Sequence, residues 1–251
     1  MNTCRTGAKR VKSLLPQQAD HDISLHASPS VGASVPYVAL REPTGDEAWN
    51  LYCLRRAARL KRKLVGVYYS PKLLRLLALF KVSHSDRVDD EVFERVDPSL
   101  LEEAYRMECP PGCGKCCAKF SGAFALDVEV EELPSEVGQR VRAQPSRLVR
   151  TRRGYVRVYE LGTGPAGMCI FYDAQRRACK LEELGKGYKP VVCLLTYCTI
   201  FASRGGKLYL KAAARRVEGG WWLVYREVGE DEWRRALLRM QARPRRGINQ
   251  R

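Results

Sequence analysis

The stretch CPPGCGKCC, Cys109 to Cys117, and the later stretch MCIFYDAQRRACKLEELGKGYKPVVCLLTYC, Met168 to Cys198, decide how this chain folds. Eight of the ten cysteines lie in them: Cys109, Cys113, Cys116 and Cys117 in the first, Cys169, Cys179, Cys193 and Cys198 in the second. Thiolates two or three residues apart on a Gly- or Pro-containing turn have their Cβ vectors folded to one side, so they converge on one ion. Gly112 and Gly114 supply that turn here. Vicinal Cys116 and Cys117 diverge in regular backbone, which assigns one of them to a second site unless the backbone is distorted. Eight thiolates suffice for two four-coordinate sites, or for one cluster with spare or redox-active thiols.

Composition sets the background. With 251 residues, 45% of them apolar, the chain is long enough for one sizeable core with appendages. A formal net charge of +16 and an isoelectric point near 9.6 imply an anionic partner, nucleic acid among the candidates. The N-terminal segment lacks an apolar signal region and no later run is long enough to span a bilayer, so the expected location is the cytoplasm. There the thiol pool keeps cysteines reduced, which favours metal ligation over structural disulfides. Cys4 and Cys53, outside the pattern, read as ordinary buried thiols. The three histidines, His21, His26 and His84, all precede the cluster, so the ligand set is all sulfur. Such a set suits zinc or iron, the latter as an iron–sulfur cluster of the 4Fe–4S kind, and argues against magnesium or calcium.

Around the cysteines the expected fold class is α+β: a small cysteine-rich domain (109–200) with short antiparallel hairpins. Basic helices (46–108) precede it, and a hairpin and C-terminal helix (201–251) follow. Residues 1–45, rich in Ser, Pro and Gly, read as a flexible arm. Asp46 is placed to cap a helix through Trp49, Leu51, Tyr52, Leu54 and Ala58, with Arg55, Arg56, Arg59, Lys61, Arg62 and Lys63 on its other faces. A further helix is expected through Val92, Val96, Leu100, Leu101 and Ala104. FSGAFALDVEVEEL reads as a strand leading into an acidic helix, and LVRTRRGYVRVYEL as a hairpin turning near Arg153 and Gly154. KLYLKAAARRV and WWLVYREV form another hairpin, and the last helix carries Trp233, Leu237, Leu238 and Met240.

CPPGCGKCC, the AFALDVEVEEL that follows, the MCIFYD before Cys179 and YKPVVC together resemble the YkgJ-like cysteine-cluster family, also called CxxCxxCC proteins and described as zinc- or iron-chelating. The resemblance spans about Cys109 to Cys198. Relatives commonly carry Arg where this chain has Lys189, and the first cysteine spacing here is three residues instead of two; neither change removes a ligand. Flagellin lysine N-methylase is similar at a greater distance. This implies an alternative, an iron–sulfur-dependent protein-modifying enzyme, without handing over a catalytic activity. A third reading is a nucleic-acid-binding protein with structural metal, its phosphate contacts drawn from the cations of residues 55–63 and the Arg-rich end.

Other signals are weaker. VYELGTGPAGMC carries Gly162, Gly164 and Gly167, yet Pro165 and Cys169 follow where a dinucleotide-binding loop needs a helix, so it reads as a loop presenting Cys169. Glu131 with Glu132, and Glu182 with Glu183, read as helix-surface charges. No set of nucleophile, base and orienting residue is recognisable, so no catalytic residue is assigned.

Overall fold

A computed structural model describes residues 37–97, 104–107, 114–119, 122–196, 201–205, 207–217 and 220–241. Strand β1 (Tyr37–Leu40) comes first, followed by helix α1 (Glu47–Arg59). The carboxylate of Asp46 accepts from the Trp49 amide at 3.1 Å, the expected cap. Strands β2 (Leu64–Ser70), β3 (Arg75–Lys81), β4 (Phe93–Arg95) and β5 (Tyr105–Met107) complete an antiparallel sheet in the order β4-β1-β3-β2-β5.

This sheet corrects the expectation of basic helices over residues 46–108. Among the described residues there, only α1 and a short 3-10 turn, Lys61–Lys63, are helical; Phe93–Arg95 pairs as a strand, and Leu100 and Leu101 lie outside the described residues. The physical reason lies in VGVYYS and RLLALF. Paired across a hairpin, these apolar and aromatic residues fill both faces of a pleated surface, which a helix would crowd onto one stripe. The arm also ends earlier than expected, because Val38 and Ala39 are buried in β1 between β3 and β4.

Alternation distributes the sheet's residues between two cores. Val38, Val67, Tyr69, Phe80, Phe93 and Met107 face α1, whereas Ala39, Leu77, Leu79 and Val96 form a separate cluster. Phe80 meets Phe93 edge-on at 5.6 Å. On its other side α1 contacts a second sheet, built from β6 (Phe124–Leu126), β7 (Ser146–Thr151) and β8 (Gly154–Glu160) in the order β6-β8-β7. The β7–β8 hairpin turns between Thr151 and Gly154, as expected. Its tip docks on α1 through Arg152 over Trp49 and Arg153 over Tyr52. Helix α1 thus buries one face, with Leu51, Cys53, Ala57 and Ala58 in the same core as Leu126, Val128, Val156 and Val158.

Two short helices follow β6, α2 (Asp127–Glu131) and α3 (Ser135–Arg142), the strand-to-acidic-helix step anticipated above. Helix α4 (Glu230–Gln241) and the hairpin of β9 (Lys207–Val217) and β10 (Gly220–Glu227) also fall where expected, with Phe201–Arg204 adding an outer strand. All described residues belong to one unit, Val35–Arg251, so the chain is a mixed α+β protein with antiparallel sheets. Among the described residues no helix is long and apolar enough to cross a membrane.

A candidate metal centre built from thiols

The two cysteine stretches meet. Gly114 has φ +52°, and a Cβ there would stand 2.7 Å from both the Arg177 carbonyl oxygen and a Tyr172 ring carbon. Only glycine tolerates both the left-handed backbone and that approach. A one-turn helix, Lys115–Lys119, follows and carries Cys116 and Cys117. The Cys117 carbonyl then accepts the Cys169 amide at 3.0 Å, stitching the first stretch to the second. Gly114→Ala is expected to weaken this junction by about 1–3 kcal/mol, from strain and displaced backbone. A denaturation midpoint equal to wild type would refute the close approach.

Four thiols gather at the junction. Cys117, Cys179 and Cys193 pack against an apolar cluster that contains Cys169, Phe171, Leu161, Leu181 and Val141. Cys169 ends the loop after β8, whose Pro165–Gly167 turn opens no phosphate-binding helix. Cys179 lies in a two-residue strand, Ala178–Cys179, paired with Tyr172–Asp173. Cys193 sits in the helical turn Val191–Leu195. Helix α3 supports this floor: Arg140 donates to the Ile170 carbonyl at 2.8 Å and its guanidinium lies 5.4 Å from the centre of the Phe171 ring.

Burial holds these sulfurs protonated, and neighbouring sulfurs add to the rise at Cys117, Cys193 and Cys169. The Cys117 thiol is pushed from an ordinary 9.0 up to about 11 by burial, with Cys179 and Cys169 adding to the rise. Burial raises Cys193 furthest, helped by Cys169, Cys117 and Cys179, and it raises Cys169 and Cys179 too. Opposing it, the nearby Phe171 amide pulls the Cys169 thiol back down, and the Leu181 and Glu182 amides do the same for Cys179. Such donors favour thiolate over thiol.

A cation completes the surroundings. Lys189 is held by Glu182 at 2.5 Å. Burial opposes its charge, but Glu182, Cys179 and Cys193 more than offset this and keep the ammonium above its usual range. Behind the site, Glu129 is almost fully enclosed; it pairs with Lys61 at 3.1 Å and accepts the Val191 amide at 2.7 Å and the Leu126 amide at 3.1 Å. Burial pushes its carboxyl up, while Lys61 and the two amides pull it back. It therefore pins the start of the turn bearing Cys193.

Of the eight expected ligands, the structure gathers Cys117, Cys169, Cys179 and Cys193. Cys116 belongs to the same turn as Cys117 but not to the buried cluster, as the divergence of neighbours implies. Cys109, Cys113 and Cys198 lie outside the described residues. The four thiols are neighbours, not a finished coordination shell: among the described residues, no three Cys, His, Asp or Glu side chains form a group that could hold a metal ion. The donor chemistry nonetheless fits a soft cation, with sulfur on several sides, amide donors to two of the four and apolar walls. Cys53, by contrast, is a core thiol raised by burial to about 11, in keeping with the reading of an isolated cysteine.

The shifts fix a pH dependence for metal-free protein. A thiol with a raised folded pKa contributes stability that is whole below the unfolded value and drains away as pH rises through the folded one. For Cys117 the window runs from 9.0 to about 11. Urea midpoints in chelator should therefore hold to pH 8.5 and fall between pH 9 and 10.5, less steeply in Cys117→Ala. Equal slopes in the two proteins would contradict the burial described.

Lys61, Glu129 and Lys189 were not singled out from sequence as site residues. Lys61 is one of six cations in nine residues and Glu129 one acid in an acidic run, so neither carries a local signal. The acidic pairs behave as surface charges: Glu132 meets Arg62, Glu182 meets Lys189 and Glu183 meets Arg176. The cations of residues 55–63 are largely neutralised, Arg55 by Asp127, Lys61 by Glu129, Arg62 by Glu132 and Lys63 by Asp86. Compared with known proteins, the chain matches no family model, no curated protein and no solved structure.

Proposed function

We propose that this chain is a metal-binding protein of the YkgJ-like kind that chelates zinc or iron. In this reading Cys117, Cys169, Cys179 and Cys193 are the core of the ligand set, and Cys109, Cys113, Cys116 and Cys198 complete it or serve a second site. The observation that carries it is the packing of four thiols, drawn from four elements of the two stretches, against one apolar cluster, with backbone amides near two of the sulfurs pulling them toward thiolate. Neutral thiols gain little from such donors, whereas thiolates gain strength and orientation from them.

Ligation asks two things of the chain. The thiols must lose protons that burial now holds on them, which makes affinity fall in acid. They must also close up by side-chain rotation, since their present spacing is looser than a coordination shell. Lys189 stands ready to balance the negative charge that ionised thiols bring into the pocket. When bound, zinc supplies a structural cross-link between the two stretches, whereas an iron–sulfur cluster supplies electron transfer.

The deciding experiment is anaerobic expression of the full chain, followed by assays of zinc, iron and acid-labile sulfide with a visible spectrum. Stoichiometric zinc without colour selects the structural reading, and equal iron and sulfide in a brown protein select the cluster. A protein holding neither, and taking up neither after reduction and reconstitution, would refute the proposal.

A further inference from the structure

The molecule carries a second constellation, remote in chemistry from the thiols. Tyr52, Arg55, Arg56, Arg59, Asp89 and Arg153 line a shallow cleft of about 340 Å³ on the outer face of α1. The helical period sets it up: Tyr52, Arg56 and Arg59 follow at spacings of four and three, and Arg55 and Arg59 at four, so all project to one side. Like charges at these spacings cost a helix a few tenths of a kcal/mol per pair, only partly offset by the dipole at its C-terminal end.

The four guanidiniums are not equivalent. Arg55 is taken by Asp127, and Arg153 by Asp89 and Glu91. Arg56 reaches only the Arg87 carbonyl, at 3.4 Å, and among the described residues no carboxylate pairs with Arg56 or Arg59. Asp89, the acid inside the cleft, is already engaged: it accepts from the Tyr52 hydroxyl at 2.5 Å, from the Glu91 amide at 3.1 Å and from Arg153 at 3.1 Å. Its charge orients Arg153 and Tyr52 and attracts Arg56 from a distance, without an ion pair to either arginine at the end of α1.

The geometry points to a phosphate-binding site in this cleft, with Arg56 and Arg59 as the main contacts and Arg55 and Arg153 at the rim. A phosphate monoester brings nearly two negative charges and three acceptor oxygens, which suits several planar guanidinium forks better than a carboxylate with two oxygens. The occupant is a small phosphorylated molecule. Past the C-terminal end of α1 the positive charge does not continue, because Lys61, Arg62 and Lys63 each meet a carboxylate, whereas tracking a nucleic-acid backbone along the helix needs a run of unpaired cations. The volume suits a compact ligand.

The test is calorimetry of the full chain with inorganic phosphate and with pyrophosphate, at ionic strength held constant with chloride. Saturable binding at one site per chain is expected, weakened about tenfold or more by Arg56→Gln and by Arg59→Gln, and unchanged by Arg62→Gln outside the cleft. Thermal midpoints without phosphate should match wild type, since neither arginine carries an ion pair. Absent saturation, or saturation untouched by the two cleft variants, would overturn the assignment. Binding seen only with oligouridylate, with phosphate and pyrophosphate silent, would overturn it in favour of a polyanion surface.

Discussion

Replacing Cys193 with serine should strip most of the metal from the protein and lower its unfolding midpoint by more than any exposed substitution. Cys193 is the thiol that burial and neighbouring sulfurs perturb furthest, and it sits where the second stretch closes over the first. Serine keeps its proton and offers hard oxygen, a poor ligand for zinc or iron–sulfur chemistry. Without metal the lost ligation energy is folding energy, which reaches about 10 kcal/mol for structural zinc at neutral pH. A buried hydroxyl with no partner adds about 1–3 kcal/mol even in apoprotein. The measurement is metal content per chain together with denaturant midpoints, with and without chelator. Cys113→Ser and Cys116→Ser should also lose metal, and Cys4→Ser should lose none. Cys53→Ser should lose stability yet keep its metal, because Cys53 packs in the α1 core away from the thiol pocket. Full metal retention in Cys193→Ser would remove this residue from the ligand set.

Glu129→Ala should destabilise the fold by about 3–5 kcal/mol, the usual result of leaving a buried ammonium without its partner. The carboxylate serves three donors at once: Lys61, whose side chain is 2% exposed, and the amides of Val191 and Leu126. Its removal strands all three in a site from which water is shut out. For a chain of this size the thermal midpoint should drop by roughly 10 °C or more. The double variant Lys61→Met, Glu129→Leu should recover much of the loss, since two apolar groups need no partner. Glu129→Ala should also weaken metal retention, because Val191 opens the turn that carries Cys193. A loss under about 1 kcal/mol, at unchanged denaturant sensitivity, would mean the pair is solvated and contradict its burial.

Local chemistry made parts of this molecule legible before any fold was known. Asp46 before an apolar period of 3.6 marked α1, the Arg152–Arg153–Gly154 turn marked a hairpin, and Pro165 directly after a glycine run ruled out a phosphate loop. Each signal acts within a few residues, through capping, turn conformation or ring constraint, and so survives in the sequence. LVGVYYS and RLLALFK form strands where helices are expected, because both are apolar enough for helix or strand; what decides is the neighbour across the sheet, Tyr69 opposite Leu76 and Tyr105, which no local pattern records.

The candidate site divides in the same way. Cysteine spacing alone pointed to two stretches that belong together, since thiols clustered so densely suit one shared ion. Which thiols share a pocket, however, was settled by Gly114 lying against Arg177 and by the Cys117 carbonyl accepting the Cys169 amide. The same holds for charge. The sequence established a large positive excess, with six of its cations in residues 55–63. Tertiary packing then spent most of those cations on carboxylates from other elements and left Arg56 and Arg59 unpaired, because ion pairing depends on which elements lie within a few ångströms, a distance the linear chain does not encode.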